Sequence, residues 1–312
     1  MRALLLSLAL VSLVSAPVLL QAKITRNVEK VFTVTPGGEL KVETSGGDIK
    51  VLSHAGHELK VTAIQQIKVD SDGEADELLK NLQLTIEQSA QGVTATAKYE
   101  RRAGWGLGSW PPVQVSFVVS VPSHYNVDLN TSGGGIQLES IRGQARLRTS
   151  GGRISVDRIE GDLEGKTSGG DISLREGTAA VKLMTSGGNI KVERAGAGCE
   201  LHTSGGNIVI RSAEGHVVAT TSGGDIEAKI TGALTEDSKL STSGGKVVVA
   251  VDSRAAFALK ASTSGGNVDV TGLSVAIDSG GLRKSSLSGK VNGGGPLLTL
   301  KSSGGSIRVR AD

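Results

Sequence analysis

The phrase Thr-Ser-Gly-Gly begins at Thr131, Thr149, Thr167, Thr185, Thr203 and Thr221, each start 18 residues after the last. The interval then lengthens to 21 residues, giving Thr242 and Thr263, and a variant, SSGGSI, starts at Ser302. An earlier copy stands far upstream at Thr44. A fixed period near 20 residues marks a solenoid, because one such unit cannot bury its apolar face alone and must stack on its neighbours. The phrase itself has two readings. It binds something many times over, or it turns a corner many times over.

Alignment of the coils favours the corner. Ile154, Ile172, Ile190, Ile208 and Ile226 share one column, which Val247 and Val268 continue. Val156, Leu174, Val192, Ile210 and Ala228 share another, two residues on. Before the glycines, Leu163, Val181, Cys199 and Val217 align, as do Leu147, Leu183 and Leu201. Alternate residues of a strand point to one face, so each coil reads as a strand into the threonine, a break, and a strand out of it. The glycine pairs Gly151–Gly152, Gly169–Gly170, Gly187–Gly188, Gly205–Gly206 and Gly223–Gly224 are expected at φ > 0, where glycine is unhindered. Asp171, Asn189, Asn207, Asp225 and Asn267 follow glycine pairs and suit a turn. The threonines and serines are expected to stack as hydroxyl ladders, which together with the charged outward columns would form a contact face.

The expected fold is therefore all-β, a parallel β-solenoid of about nine or ten coils and roughly 45 Å at a rung spacing of about 4.8 Å. A three-sided left-handed helix would repeat its inward residues every sixth position. The series Ile154, Glu160, Lys166 fails that test. The strong right-handed preference of parallel crossovers points to a right-handed, flattened coil.

Residues 131–312 hold the regular repeat and a closing segment that breaks the period, and residues 23–130 read as an N-terminal β-rich cap with one early coil from Phe32. Within the cap, Glu74 to Leu82 (EADELLKNL) suggests a short helix, and LKVTAIQQIKV, LQLTIEQ, GVTATAKYE and VQVSFVVSV suggest strands. A solenoid end exposes unpaired backbone, so a cap is expected there. Residues 1–22, MRALLLSLALVSLVSAPVLLQA, have the build of a secretory signal peptide cut after Ala22. Leu20 fits poorly three residues before the cut, which leaves a retained anchor as the alternative. No later apolar run is long enough to span a bilayer. The expected location is the periplasm, cell envelope or exterior.

Composition narrows the chemistry. The chain has 312 residues, 44 glycines, a formal net charge of +3 and only 2% aromatics. Charges are mixed along it, and no aromatic-rich basic block suggests nucleic acid. Cys199 is the single cysteine, so no internal disulfide forms, and its column of Leu and Val makes it a small core residue. His54 and His57 stand three apart in SHAGHELK, a weak metal pair in a loop-like stretch. The residue after the glycines is sometimes basic, as at Arg153 and Lys246, which argues against a periodic calcium array. No cofactor, metal or catalytic residue is expected, and a nucleophile would be needed once rather than in every coil. The stretch YERRAGWGLGSWPP places Trp105 and Trp110 among Gly and Pro. They either contact a ligand or fold over the solenoid end as a cap.

The segments VPSHYNVDLNTSGGGIQL and GGGPLLTLKSSGGSIRV, together with the repeated TSGGxI, resemble a bacterial family labelled "putative adhesin", domain of unknown function 4097. The resemblance runs from about Phe32 to Arg310. It implies an envelope or surface β-solenoid and carries over no catalytic or binding residue. The resulting expectation is a non-enzymatic exported adhesion or scaffold module whose partner is a cell-surface glycan or an envelope protein. The alternatives are a ligand-binding or sensor module using Trp105 and Trp110, and a polysaccharide-active β-helix enzyme.

Overall fold

The computed structural model describes residues 23–100 and 112–312. Residues 1–22, where a signal peptide is expected, and the pair Trp105 and Trp110 therefore lie outside the described residues. The chain begins with β1 (Ile24–Thr33), β2 (Glu39–Thr44), β3 (Ile49–His54), β4 (Glu58–Ile67), helix α1 (Asp72–Leu79), β5 (Leu82–Gln88), β6 (Gly92–Tyr99) and β7 (Val113–Pro122). Regular coils follow, with β8 (Asn126–Thr131) and β9 (Ile136–Arg142), β10 (Ala145–Arg148) and β11 (Ile154–Glu160), β12 (Leu163–Lys166) and β13 (Ile172–Gly177). Next come β14 (Val181–Met184) and β15 (Ile190–Ala195), β16 (Cys199–His202) and β17 (Ile208–Glu214), β18 (Val217–Thr221) and β19 (Ile226–Thr231), β20 (Ser238–Thr242) and β21 (Val247–Val251). The chain closes with β22 (Phe257–Thr263), β23 (Val268–Thr271), β24 (Val275–Arg283), β25 (Ser286–Val291), β26 (Leu297–Ser302) and β27 (Ile307–Ala311).

Each regular coil gives one strand to each of two sheets, as the alternation of apolar residues on both sides of the glycines demands. Sheet A has thirteen strands in the order β1-β4-β7-β3-β9-β11-β13-β15-β17-β19-β21-β27-β23. Sheet B has fourteen, β24-β25-β22-β26-β20-β18-β16-β14-β12-β10-β8-β2-β6-β5. At about 4.8 Å per strand the sheets run about 60 Å. This exceeds the length expected from the repeats alone, because the cap strands prolong the same two sheets.

The column register is as the sequence implies. Ile154, Ile172, Ile190, Ile208 and Ile226 are successive Cα partners along sheet A. All five are buried between the sheets. Leu163, Val181, Cys199 and Val217 align in the same way along sheet B. Burying each such side chain contributes about 2 kcal/mol. The interior is thin and mostly aliphatic, with Phe117, Tyr125 and Phe257 among its largest members.

Both ends depart from simple stacking. The coil of Thr44 lies directly against that of Thr131, with Thr44 opposite Thr131 and Ile49 opposite Ile136. The intervening chain forms the layer beyond, in which β6 and β7 run parallel to β2 and β3. Antiparallel strands β4, β1 and β5 finish that end. Helix α1 begins at Asp72 rather than Glu74, because the Ser71 side chain accepts a hydrogen bond from the Glu74 N–H at 3.3 Å. It stops before Leu82, which is claimed by pairing with Tyr99. Arg26 points from β1 to Asp72 at 3.1 Å and to Asp76. Such an inward charge on an edge strand discourages pairing with another sheet.

At the other end the sequence order is broken. Val247 is not the neighbour of Val268, as the 21-residue spacing suggests. The C-terminal strands β26 and β27 lie between those two coils, so Ser302 pairs with both Thr242 and Thr263, and Ile307 with both Val247 and Val268. The antiparallel pair β25 and β24 then extends sheet B alone.

Candidate functional site

The repeated phrase is the first candidate, and its geometry is that of a structural corner. The Thr203 hydroxyl donates to the Gly188 carbonyl of the preceding coil at 2.8 Å and accepts from the Gly206 N–H at 3.3 Å. The same donation recurs from Thr149 to Gly134, Thr167 to Gly152, Thr185 to Gly170 and Thr221 to Gly206. Ser302 reproduces it toward Gly245 at 2.8 Å. The threonines are buried, so they line no surface, and they bond carbonyls rather than one another. The serines that follow them are exposed.

The glycines correct a second expectation. None of the five pairs from Gly151–Gly152 to Gly223–Gly224 adopts a positive φ. The second glycine is needed because the coils approach too closely for a side chain. A Cβ at Gly188 would lie 2.0 Å from the Gly170 carbonyl oxygen, whereas one at Gly187 would meet only ordinary contacts from 3.6 Å. Left-handed glycines sit instead at the opposite corner, such as Gly215 with φ 74°.

The residue after the pair also works between coils. Asp171 Oδ1 accepts from the Asn189 N–H, Asn189 Oδ1 from Asn207, Asn207 Oδ1 from Asp225, and Asp225 Oδ1 from Lys246, at 2.8 to 2.9 Å. The backbone N–H of Asn189, with help from Arg153, holds the Asp171 carboxyl below the usual range.

The remaining candidates separate. His54 turns both ring nitrogens to backbone oxygens, of Ala55 at 3.1 Å and Glu58 at 2.9 Å, and does not pair with His57. Among the described residues no group of three His, Cys, Asp or Glu side chains could hold a metal. Cys199 is buried, and burial pushes its thiol up to about 12. A thiol so held is protonated and inert at neutral pH.

What varies from coil to coil is the outward faces. On sheet A, the short Ser155 and Ser173 lie between longer neighbours and leave a shallow depression of about 400 Å³, bordered by Gln137, Glu139, Asp157, Arg175, Lys191 and Glu193. Arg175 pairs with Asp157 and Lys191 with Glu193. The Arg175 guanidinium, helped by the Ser140 hydroxyl, lowers the Asp157 carboxyl from its ordinary value. A second depression of about 660 Å³ adjoins it near Lys50, Gln66 and Phe117. Two more lie along the same face around Val209, Val248 and Arg310. Sequence alternation marks these residues as outward, but only the stacking order shows which ones share a depression.

On sheet B the outward charges of the first half alternate and pair. Arg148 reaches Asp128 at 3.5 Å and Glu164 at 3.6 Å, and Lys182 reaches Glu200 at 2.8 Å. Among the described residues no helix is long and apolar enough to cross a membrane.

Two parallel sheets joined by a bonded corner ladder, with antiparallel strands at both ends, define the molecule as a capped β-solenoid. Residues 23–200, more than half of the chain, match the family model Toastrack DUF4097, and the chain belongs to that family. No curated protein matches it. Among solved structures, a "putative adhesin" from Bacteroides fragilis NCTC 9343 is 11% identical with a TM-score of 0.42, covering 92% of this chain and 97% of its own. A "putative lipid binding protein" from Parabacteroides distasonis ATCC 8503 is 14% identical with a TM-score of 0.43, covering 92% and 96%. A "putative adhesin" from Parabacteroides merdae ATCC 43184 is 11% identical with a TM-score of 0.31, also covering 92% and 96%. Likenesses this distant carry no functional argument.

Proposed function

We propose that this chain is a non-enzymatic, exported envelope module that works by holding a rigid, chemically varied strand face against an envelope glycan or protein. The supporting observation is the row of shallow depressions along the outward face of sheet A. They are open and lined by serines, paired charges and short aliphatic side chains, which suits contact with an extended partner. The repeat supplies the stiffness, since its rungs are bonded through backbone and corner threonines, and from Asp171 to Lys246 also through Asp or Asn side chains.

The test is binding of residues 23–312 to purified cell-wall fractions and a glycan array. An Arg175→Glu/Lys191→Glu variant and a Trp105→Ala/Trp110→Ala variant run beside it. Saturable binding lost in the first variant and kept in the second supports the reading. Loss confined to the tryptophan variant transfers the contact to Trp105 and Trp110. Release of reducing ends from a bound polysaccharide would make the chain an enzyme and overturn the proposal.

A further inference from the structure

The outward face of sheet B changes character along the rod. From β2 to β18 it carries Lys41, Arg146, Arg148, Lys166 and Lys182 against Glu43, Asp128, Glu164 and Glu200. Cross-strand pairs neutralise much of that charge. The last five strands, β20, β26, β22, β25 and β24, present Lys239, Lys301, Lys260, Lys290 and Arg283 outward, with Asp278 as the acid among them. Asp278 accepts a hydrogen bond from Ser288 at 2.6 Å. Among the described residues none of these four lysines makes an ion pair.

The interleaved topology assembles this patch. Lys239, Thr299 and Lys260 are Cα partners on three adjacent strands. Lys301 stands two residues on, between Ser241 and Ser262, and Lys290 faces Ala258 on the next strand. At about 4.8 Å between strands, the four ammonium groups spread over an area about 15 Å across. The depressions described above lie on the other sheet. Lysines act as point charges rather than planar forks, which suits attraction to a diffuse charged plane. On edge strand β24, Ile277 and Leu282, exposed at 46% and 61%, pair with Gly289 and Leu287, which are buried on the core side of β25, so they lie on the face of the sheet opposite the lysines.

We infer that the C-terminal end of sheet B is a docking face for an anionic bilayer surface, with the lysines over the headgroups. Each lysine near such a surface strengthens binding roughly five-fold, so four supply about three orders of magnitude.

The experiment is sedimentation of residues 23–312 with vesicles of equimolar phosphatidylglycerol and phosphatidylcholine, beside vesicles of phosphatidylcholine alone. Binding is expected only to the first, and it weakens as salt is added. Replacing the four lysines together by glutamine is expected to lower affinity several-hundredfold with no change in thermal midpoint, because all four side chains are exposed. An Arg146→Gln/Lys182→Gln variant, from the paired half, is expected to bind within a few-fold of the parent. Equal binding to both vesicles, no binding to either, or indifference to the lysine substitutions overturns the inference. Capture by soluble polygalacturonate without vesicle binding also overturns it, and assigns the patch to an acidic polymer.

Discussion

Gly188→Ala and Gly187→Ala, made separately, place the same methyl group on adjacent residues with opposite expected results. At Gly188 the new Cβ would stand 2.0 Å from the Gly170 carbonyl oxygen and 2.4 Å from its carbon. A tolerable contact requires the two coils to separate locally by at least about 1 Å. The bonds across that gap include Gly187 N–H to Ser168 at 2.9 Å, Thr185 Oγ1 to Gly170 at 2.9 Å and Asn189 N–H to Asp171 at 2.8 Å. Lengthened by 1 Å they pass beyond hydrogen-bond range. Loss of two, with partly buried groups left unpaired, costs about 3 kcal/mol. At Gly187 the methyl meets nothing nearer than 3.6 Å and the backbone is not left-handed. There alanine restricts the unfolded chain and stabilises by about 0.5 kcal/mol. Urea denaturation followed by circular dichroism measures both. Equal effects, or the larger loss at Gly187, would refute the close-approach account and return the corner to a demand for positive φ.

Three other outcomes follow from the same geometry. Thr203→Val keeps the shape but leaves the Gly188 carbonyl and Gly206 N–H without their partner, and is expected to cost about 2 kcal/mol in urea denaturation. Ile190→Asp puts a charge into a fully buried column and is expected to cost at least about 4 kcal/mol, abolishing amide protection in the adjacent coils by hydrogen exchange. The Asp171 carboxyl has a folded value below its unfolded one, so its contribution is complete above the unfolded value and is lost as pH falls through the folded value. The thermal midpoint is therefore expected to drop on acidification below the ordinary carboxylate range, and less steeply in Asp171→Asn, which keeps the Oδ1 acceptor.

The regular coils were legible because alternation and an 18-residue period together fix which residues share a column. Ile154 to Ile226 and Leu163 to Val217 needed nothing more. The corner was legible as a corner but not in its cause, since a glycine required by a close neighbour and one required by its own φ read alike in sequence. The last three coils were illegible for a topological reason. Val247 and Val268 are spaced as neighbours, and nothing local announces that Ile307 comes between them. The lysine patch was hidden with them, because Lys301 becomes the neighbour of Lys239 and Lys260 only after that insertion. Lys239, Lys260 and Lys290 read singly as ordinary solvated strand residues.

The central claim is that the repeated phrase builds the rod while the outward faces make its contacts. The direct measurement is saturable binding to purified envelope fractions by two variants that keep the parent's thermal midpoint. One removes exposed hydroxyls of the phrase, Ser186→Ala/Ser204→Ala/Ser222→Ala, and the other alters sheet A, Arg175→Glu/Lys191→Glu. The account predicts parental binding for the serine variant and loss for the charge variant. Loss in the serine variant with parental binding by the charge variant would contradict it, and would make the phrase itself the binding element.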